Sequence, residues 1–539
     1  MKTTGQQFSE TLKEIGIRYV FGVPSGSMID YMEAIRKTDG IDFILVSHEA
    51  AAGFMASVCG RLNRIPGACF ATFGPGATNL STGVGAALLD RSPLLAFTDE
   101  LPEEKRHRTV QMNIDLQALF KPITKWTTRL EAGRVKKTLL AAAKIAGTGL
   151  PGPVHIGVPS NISSLKIREE QTVLKPSPGI KPAPAAVMET MRQAVLKAKK
   201  PLVVIGLTAV QSQLKPLILE VVEKFGLPVV LTPMAKGMVP EDHPLYVGVL
   251  NHALANMVAQ THQQADLIIG IGYDPVEVNY EDWIPKAPIV HISIVPADLD
   301  TYNCKLAADV VGDMQVSLQS FLVFPRLNHA WDLEALLKRK QKMFAALKAP
   351  DMSFGPLAVL EGLRDILPKD GILTCDVGAH LHLIGQKWPT PEPGCLLMTN
   401  GWSSMGFAIP AAIAAKLCCP DKKVACVMGD GGFLMAAGEM ATAQRLGLHI
   451  IFILLSDNEL ALIRIKQTRK NYPSYYGTRL FEKDYPDSDH FLGVPVLNAS
   501  DQAAYKAALQ KAVFLTGPVI IKASVTSSEY DDLVLQKNR

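Results

Sequence analysis

The sequence predicts an α/β protein made of several parallel-sheet domains, and three observations carry that expectation. Helix-like and strand-like patterns alternate from residue 6 to about residue 165. Short apolar runs over 201–206, 266–272, 424–428 and 449–455 are bounded by loops or glycines, as strands buried on both faces are. A chain of 539 residues is also too long for one ordinary domain and suggests three or four.

Composition narrows the function classes. With 48% hydrophobic and 20% charged residues, large buried cores are expected and disorder is not. The net charge is only +4, and the basic clusters Lys197-Lys199-Lys200 and Lys338-Arg339-Lys340-Lys342 lie on or beside helix-like segments. They read as solvated helix faces, so no nucleic-acid partner is expected. The eight cysteines, Cys59, Cys69, Cys304, Cys375, Cys395, Cys418, Cys419 and Cys426, show no C-x-x-C spacing and read as reduced core residues. The first residues run into an amphipathic pattern rather than a signal peptide, and no apolar run reaches the roughly 18 residues of a membrane span. A cytoplasmic enzyme without a membrane partner is the expectation.

In chain order, residues 8–15 read as helix, 18–23 as strand, 27–36 as helix and 43–46 as strand. His48-Glu49 follows that last strand and leads into a small-residue helix over 50–56. A carboxylate there can meet a ligand, and it can equally serve the helix start. Gly74-Pro75-Gly76 makes a rigid turn before a helix. A strand over 152–159 closes this unit, and residues 166–190, with Pro176, Pro178, Pro182 and Pro184, read as a linker. The middle unit has strands over 201–206, 228–231, 266–272 and 289–292 and no catalytic constellation. A second linker spans 325–355 and holds a Lys-rich helix over 333–347. Strand 371–375 then runs into Asp376-Val377-Gly378-Ala379-His380.

Gly429-Asp430-Gly431-Gly432 follows the apolar run 424–428 and precedes a helix read over 434–446. Glycines at a strand-to-helix turn present N–H groups to an anion, and Asp430 adds the hard oxygen that magnesium prefers. A parallel strand over 449–455 would bring Asp457 to the same sheet edge. Such a turn is also an ordinary α/β connection, and the local pattern leaves both readings open.

Gly-Asp-Gly, a helix, a strand and then an acidic residue resembles the diphosphate-anchoring motif of thiamine-diphosphate enzymes. The resemblance extends over nearly the whole chain to the acetolactate synthase group, through His48-Glu49, Gly74-Pro75-Gly76-Ala77-Thr78-Asn79 and Gln111-Met112-Asn113-Ile114-Asp115. It implies three doubly wound parallel-sheet domains: pyrimidine-binding (1–165), central (185–325) and diphosphate-binding (356–539). It implies thiamine diphosphate and Mg²⁺ as cofactors, with Asp430, Asp457 and the carbonyl of Glu459 as metal ligands. Gly378, Ala379, His380, Gly429, Gly431, Gly432 and Leu460 are implied around the diphosphate. Ser403 would turn a carbonyl to the cofactor's amino group, and Met405 would hold the cofactor bent. Glu49 would hydrogen-bond the aminopyrimidine, and Gln111 would line the substrate side. Gly272-Tyr273-Asp274-Pro275-Val276-Glu277 is more like the flavin-free members, so FAD is not expected.

The implied reaction is decarboxylation of a pyruvate-like 2-oxo acid and its carboligation to a second one, in a homodimer or homotetramer. A decarboxylase or lyase releasing an aldehyde, and a silent cofactor-binding subunit, are the alternatives. Phe73, the Asn458-Glu459-Leu460 turn and the lysine-free Pro24-Ser25-Gly26-Ser27 loop depart from the group and bear on the choice of oxo acid. Finally, Gly517-Pro518-Val519 echoes Gly152-Pro153-Val154, which suggests that the two outer units are duplicates.

Overall fold

A computed structural model describes residues 1–168, 179–284, 286–351, 353–482 and 487–536. Pro176 and Pro178 of the expected first linker lie outside them. Three parallel sheets carry the chain. The N-terminal sheet runs Asp42–Leu45, Tyr19–Gly22, Gly67–Ala71, Leu94–Glu100, Pro153–Pro159, Trp126–Arg129, which is order 2-1-3-4-6-5 within the unit. The C-terminal sheet starts at Leu396–Leu397, Ile372–Cys375, Val424–Gly429, Ile450–Ser456 and Val519–Ser524, and ends in Val494–Ala499 with a short antiparallel partner, His490–Phe491. Without that partner its order is the same as the N-terminal one, so the echo between the Gly-Pro-Val strands extends to topology. The middle sheet has order 3-2-1-4-5-6, with Pro201–Ile205 beside Leu267–Ile271 at its centre.

Small residues decide how the outer units meet. Helices Glu49–Asn63 and Pro75–Leu89 touch at Gly53 and Gly83, where a Cβ on Gly53 would fall 2.7 Å from the Gly83 Cα. The alanine-rich helix Ala408–Cys418 packs against Glu49–Asn63, and one apolar core runs from Ala51 through Ala87 to Ala415. A second core joins the middle and C-terminal sheets. No helix among the described residues is long and apolar enough to cross a membrane.

Two expectations need correction. The helix read over 434–446 starts earlier, at Asp430, and is broken into Asp430–Ala436 and Glu439–Arg445. The break falls at Gly438, whose carbonyl accepts a 2.7 Å bond from the Ser47 hydroxyl of the N-terminal unit. The cluster Lys338-Arg339-Lys340-Lys342 is likewise not simply a solvated face. Lys340 is buried and donates to the carbonyls of Glu241 and His243, while Arg339 donates to Thr261. Helix Leu333–Ala346 is thereby fastened to the middle unit, with Met343 in the shared core.

Candidate active site

Sheets of this kind bind ligands where neighbouring strands depart in opposite directions. In the C-terminal sheet that place lies between Ile372–Cys375 and Val424–Gly429. Asp376 sits at its base, fully buried, and its carboxylate accepts N–H bonds from Val377, Gly406 and Ala408. Burial pushes its pKa up to about 6 against those bonds. A Cβ on Gly432 would come within 2.8 Å of its Cγ, so Asp376 ties the 399–407 loop and the glycine turn into one frame. This residue was not picked out from the sequence; a lone acid directly after an apolar strand was the available signal.

His380, buried in the first turn of helix Ala379–Lys387, lays its ring over Gly378 and Gly429. Its Nε2 has no hydrogen-bond partner among the described residues, and burial lowers its pKa to about 4, leaving the ring neutral. Ala379 is buried beside it.

Asp430 is 2% exposed, and its Oδ2 accepts from the N–H groups of Asp457 (2.9 Å) and Asn458 (2.7 Å). The Asp457 carboxyl is pushed up to about 7, first by burial and then by the charge of Asp430. A carboxylate whose charge disfavours ionisation of its neighbour makes a negative site that a divalent cation would relieve. Glu459 turns its carboxylate away, to Arg464 (2.8 Å) and the Ser527 hydroxyl (2.6 Å), so only its backbone remains on offer. Among the described residues no group of three or more His, Cys, Asp or Glu side chains is arranged for a metal. Met405 and Leu460 converge from opposite loops on Gly431, where a Cβ would stand 2.6 Å and 2.8 Å from their methyl carbons. Ser403 is exposed, has φ +53°, and donates to the Asn400 carbonyl.

At the N-terminal edge, Glu49 is 8% exposed and its Oε2 accepts from Asn79 Nδ2 at 3.0 Å. The bare Gly76 leaves room for it, since a Cβ there would lie 3.1 Å from Oε1. Capping of helix Glu49–Asn63 falls to His48, whose Nδ1 accepts from the Ala50 N–H. The glutamate is therefore spared that task. Two further acids hold the surrounding turns, and neither was singled out from the sequence. Asp99 accepts from the hydroxyls of Ser25, Ser27 and Thr72, and Glu439 of the C-terminal unit accepts from the N–H groups of Ser47 and His48. Gln111 is exposed and is not brought against Glu49; its neighbour Met112, at φ +65°, presses its backbone on Gly74. Phe73 lines a cleft of about 390 Å³ with Arg106, Arg108 and Asn113. A larger cleft, about 1050 Å³, lies between helices Ala255–His262 and Ala461–Arg469, but it lacks the carboxylate pair and the glycine cradle.

Comparison with known proteins decides what this frame belongs to. Family models of the thiamine pyrophosphate enzymes match in three places: the N-terminal TPP binding domain over residues 2–119, the central domain over 188–321 and the C-terminal TPP binding domain over 376–523. The chain is 30% identical over 543 residues to the acetolactate synthase isozyme 1 large subunit of Escherichia coli, covering 98% of this chain and 94% of that one. The chain is a thiamine pyrophosphate enzyme of the acetolactate synthase family. It is also 29% identical over 472 residues to the acetolactate synthase large subunit of Lactococcus lactis (86% and 82% covered). Acetolactate synthase of Bacillus subtilis is 27% identical over 549 residues (98% and 94%). Family membership gives the two glycine-lined edges a common purpose, since the two matched terminal domains are both cofactor-binding.

Proposed function

We propose that this enzyme decarboxylates a pyruvate-like 2-oxo acid and joins the retained fragment to a second oxo compound, using thiamine diphosphate and Mg²⁺. The observation that carries this reading is the pair Asp430 and Asp457 beside the cradle of Gly378, His380 and Gly429. An orphaned buried imidazole N and bare glycine backbone fit a diphosphate, and a buried Asp430 beside the raised Asp457 carboxyl fits its magnesium. Asp430, Asp457 and the Glu459 carbonyl would hold the metal. Gly378, Ala379, His380, Gly429, Gly431, Gly432 and Leu460 would surround the diphosphate, with Ser403 and Met405 toward the ring system. Bound thiamine diphosphate supplies a carbon nucleophile and an electron sink for loss of CO₂. Glu49, pinned by Asn79, holds and exchanges a proton at the aminopyrimidine. Gln111 and Phe73 stand toward the substrate.

The reading takes residues 1–165, 185–325 and 356–539 as the three domains of a cytoplasmic homodimer or homotetramer with the site at the subunit interface. Leu434 and Met435, 51% and 66% exposed on the helix that Asp430 opens, support a second copy at this edge. It assigns no flavin. The crevice of the middle sheet supports that, because Gly272 packs against Ala209 so closely that a Cβ would lie 2.2 Å from its nitrogen.

The test is carbon-13 pyruvate with thiamine diphosphate and magnesium, followed by NMR. Labelled acetolactate is expected. Acetaldehyde as the main product would replace carboligation by simple decarboxylation. Absence of any product, with the cofactor still raising the melting temperature, would overturn pyruvate as the donor.

A further inference from the structure

Helices Glu49–Asn63 and Ala408–Cys418 pack together where the N-terminal and C-terminal units meet, and there Cys59 and Cys418 face each other with their sulfurs 3.0 Å apart. All eight cysteines are free thiols. Cys59 is 6% exposed, whereas Cys418 lies in the last turn of its helix and is partly open to solvent. The Cys418 and Cys59 thiols share a hydrogen bond, and Cys418 also accepts from Asn63 Nδ2 at 3.4 Å. Those two bonds, with Arg18 nearby, hold its pKa below the usual thiol range, and it is the one cysteine so placed; the other seven are pushed up. A reachable, more acidic thiol backed by a buried second thiol is the arrangement of an attacking and a resolving cysteine.

We propose that Cys59 and Cys418 are a redox modification site, forming a disulfide that staples the N-terminal unit to the C-terminal unit when a low-molecular-weight disulfide is present. The Cys418 thiolate attacks one sulfur of the small disulfide, breaking its S–S bond and releasing one thiolate. The Cys59 thiolate then attacks Cys418 Sγ and displaces the second. Two protein thiols are oxidised, the small disulfide is reduced to two thiols, and the two cysteine protons end on those leaving groups. The staple joins residues far apart in sequence, which is where a cross-link most restricts the unfolded chain. Because Glu49 opens the helix that carries Cys59, the modification also fixes the far end of the element that presents that glutamate.

The test uses the full-length protein incubated with oxidised glutathione, with thiols counted and non-reduced peptides mapped by mass spectrometry. Two thiols per chain are lost, a Cys59–Cys418 peptide pair appears, the melting temperature rises, and dithiothreitol reverses all three. Cys419→Ser leaves the pair intact, and Cys418→Ser abolishes it. The map of the unsubstituted protein decides the matter even if Cys59→Ala fails to fold. A lasting glutathione adduct on Cys418, a Cys418–Cys419 bond, or an unchanged thiol count would each overturn the proposal. None of these readouts depends on which oxo acid the enzyme takes.

Discussion

At the carboxyl edge of the C-terminal sheet, strands Ile372–Cys375 and Val424–Gly429 part around Asp376, His380 and Asp430, while at the same edge of the middle sheet the loops are stitched together. There the Gly206 and Thr208 N–H groups donate to the carbonyls of Ile271 and Gly272. Tyr273 stacks on Tyr280 with centroids 4.0 Å apart, and its hydroxyl accepts from Trp283. Asp274, 3% exposed, takes a forked pair of bonds from Arg91 of the N-terminal unit. The middle sheet has the strand order usual for dinucleotide binding, yet its edge serves as a joint between units. The same architecture thus yields a site in one place and a fastening in the other, and the residues at the edge decide which.

If that contrast is right, substitutions at the two edges should separate function from stability. The largest effect is expected for Glu49→Gln: turnover falls by at least about 100-fold, the scale of lost general acid–base catalysis, while thiamine diphosphate still raises the melting temperature. Undiminished turnover would remove Glu49 from the mechanism. Asp430→Asn should instead abolish the rise in melting temperature with thiamine diphosphate and magnesium. Its melting temperature without them should be no lower than the parent's, because the charge that disfavours Asp457 is gone. At the middle edge the pattern reverses. Arg91→Ala leaves the Asp274 carboxylate buried without its cation and should cost about 3 kcal/mol in denaturant unfolding, with turnover per folded molecule changed by no more than about twofold. A collapse in turnover at full stability would show that this edge is a site after all.

The strand-and-glycine pattern made much of this legible. Alternating apolar runs and breakers give the parallel sheets, and Gly-Asp-Gly-Gly marks a strand end where glycine backbone, carboxylate and helix start coincide. Less legible were the acids that work through other residues. Asp376, Asp99 and Glu439 are each defined by N–H or hydroxyl donors from loops distant in sequence, and no local pattern announces such partners. Lys340 failed to show its role for a related reason: a lysine in a basic run looks solvated until the two carbonyls that take its ammonium are folded against it. Gln111 illustrates the opposite case, a residue implied by resemblance that the fold leaves exposed beside the N-terminal edge.

The smallest expected effect sharpens the contrast through pH. Glu277 belongs to the middle edge, where its carboxylate accepts from the Thr232 hydroxyl (2.6 Å) and the Met234 N–H (2.7 Å). Burial pushes its pKa from 4.5 up to about 7, outweighing those bonds, with Asp274 and Asp90 adding to the rise. An acid whose pKa is raised by folding holds its proton longer in the native state than in the unfolded one. Its contribution to stability is therefore present in full below the unfolded value and is lost as pH climbs through the folded one. Between pH 4.5 and about 7 the parent should lose on the order of 2 kcal/mol from this group. Glu277→Gln keeps an oxygen for Met234 and an amide for Thr232 but cannot ionise, so its melting temperature should change less across that window. At about pH 8 the variant should be the more stable of the two, and near the acid end of the window the two should converge. Parallel pH profiles would mean that Glu277 titrates like an exposed carboxylate, and the middle edge would then be wetter and looser than a joint between units requires.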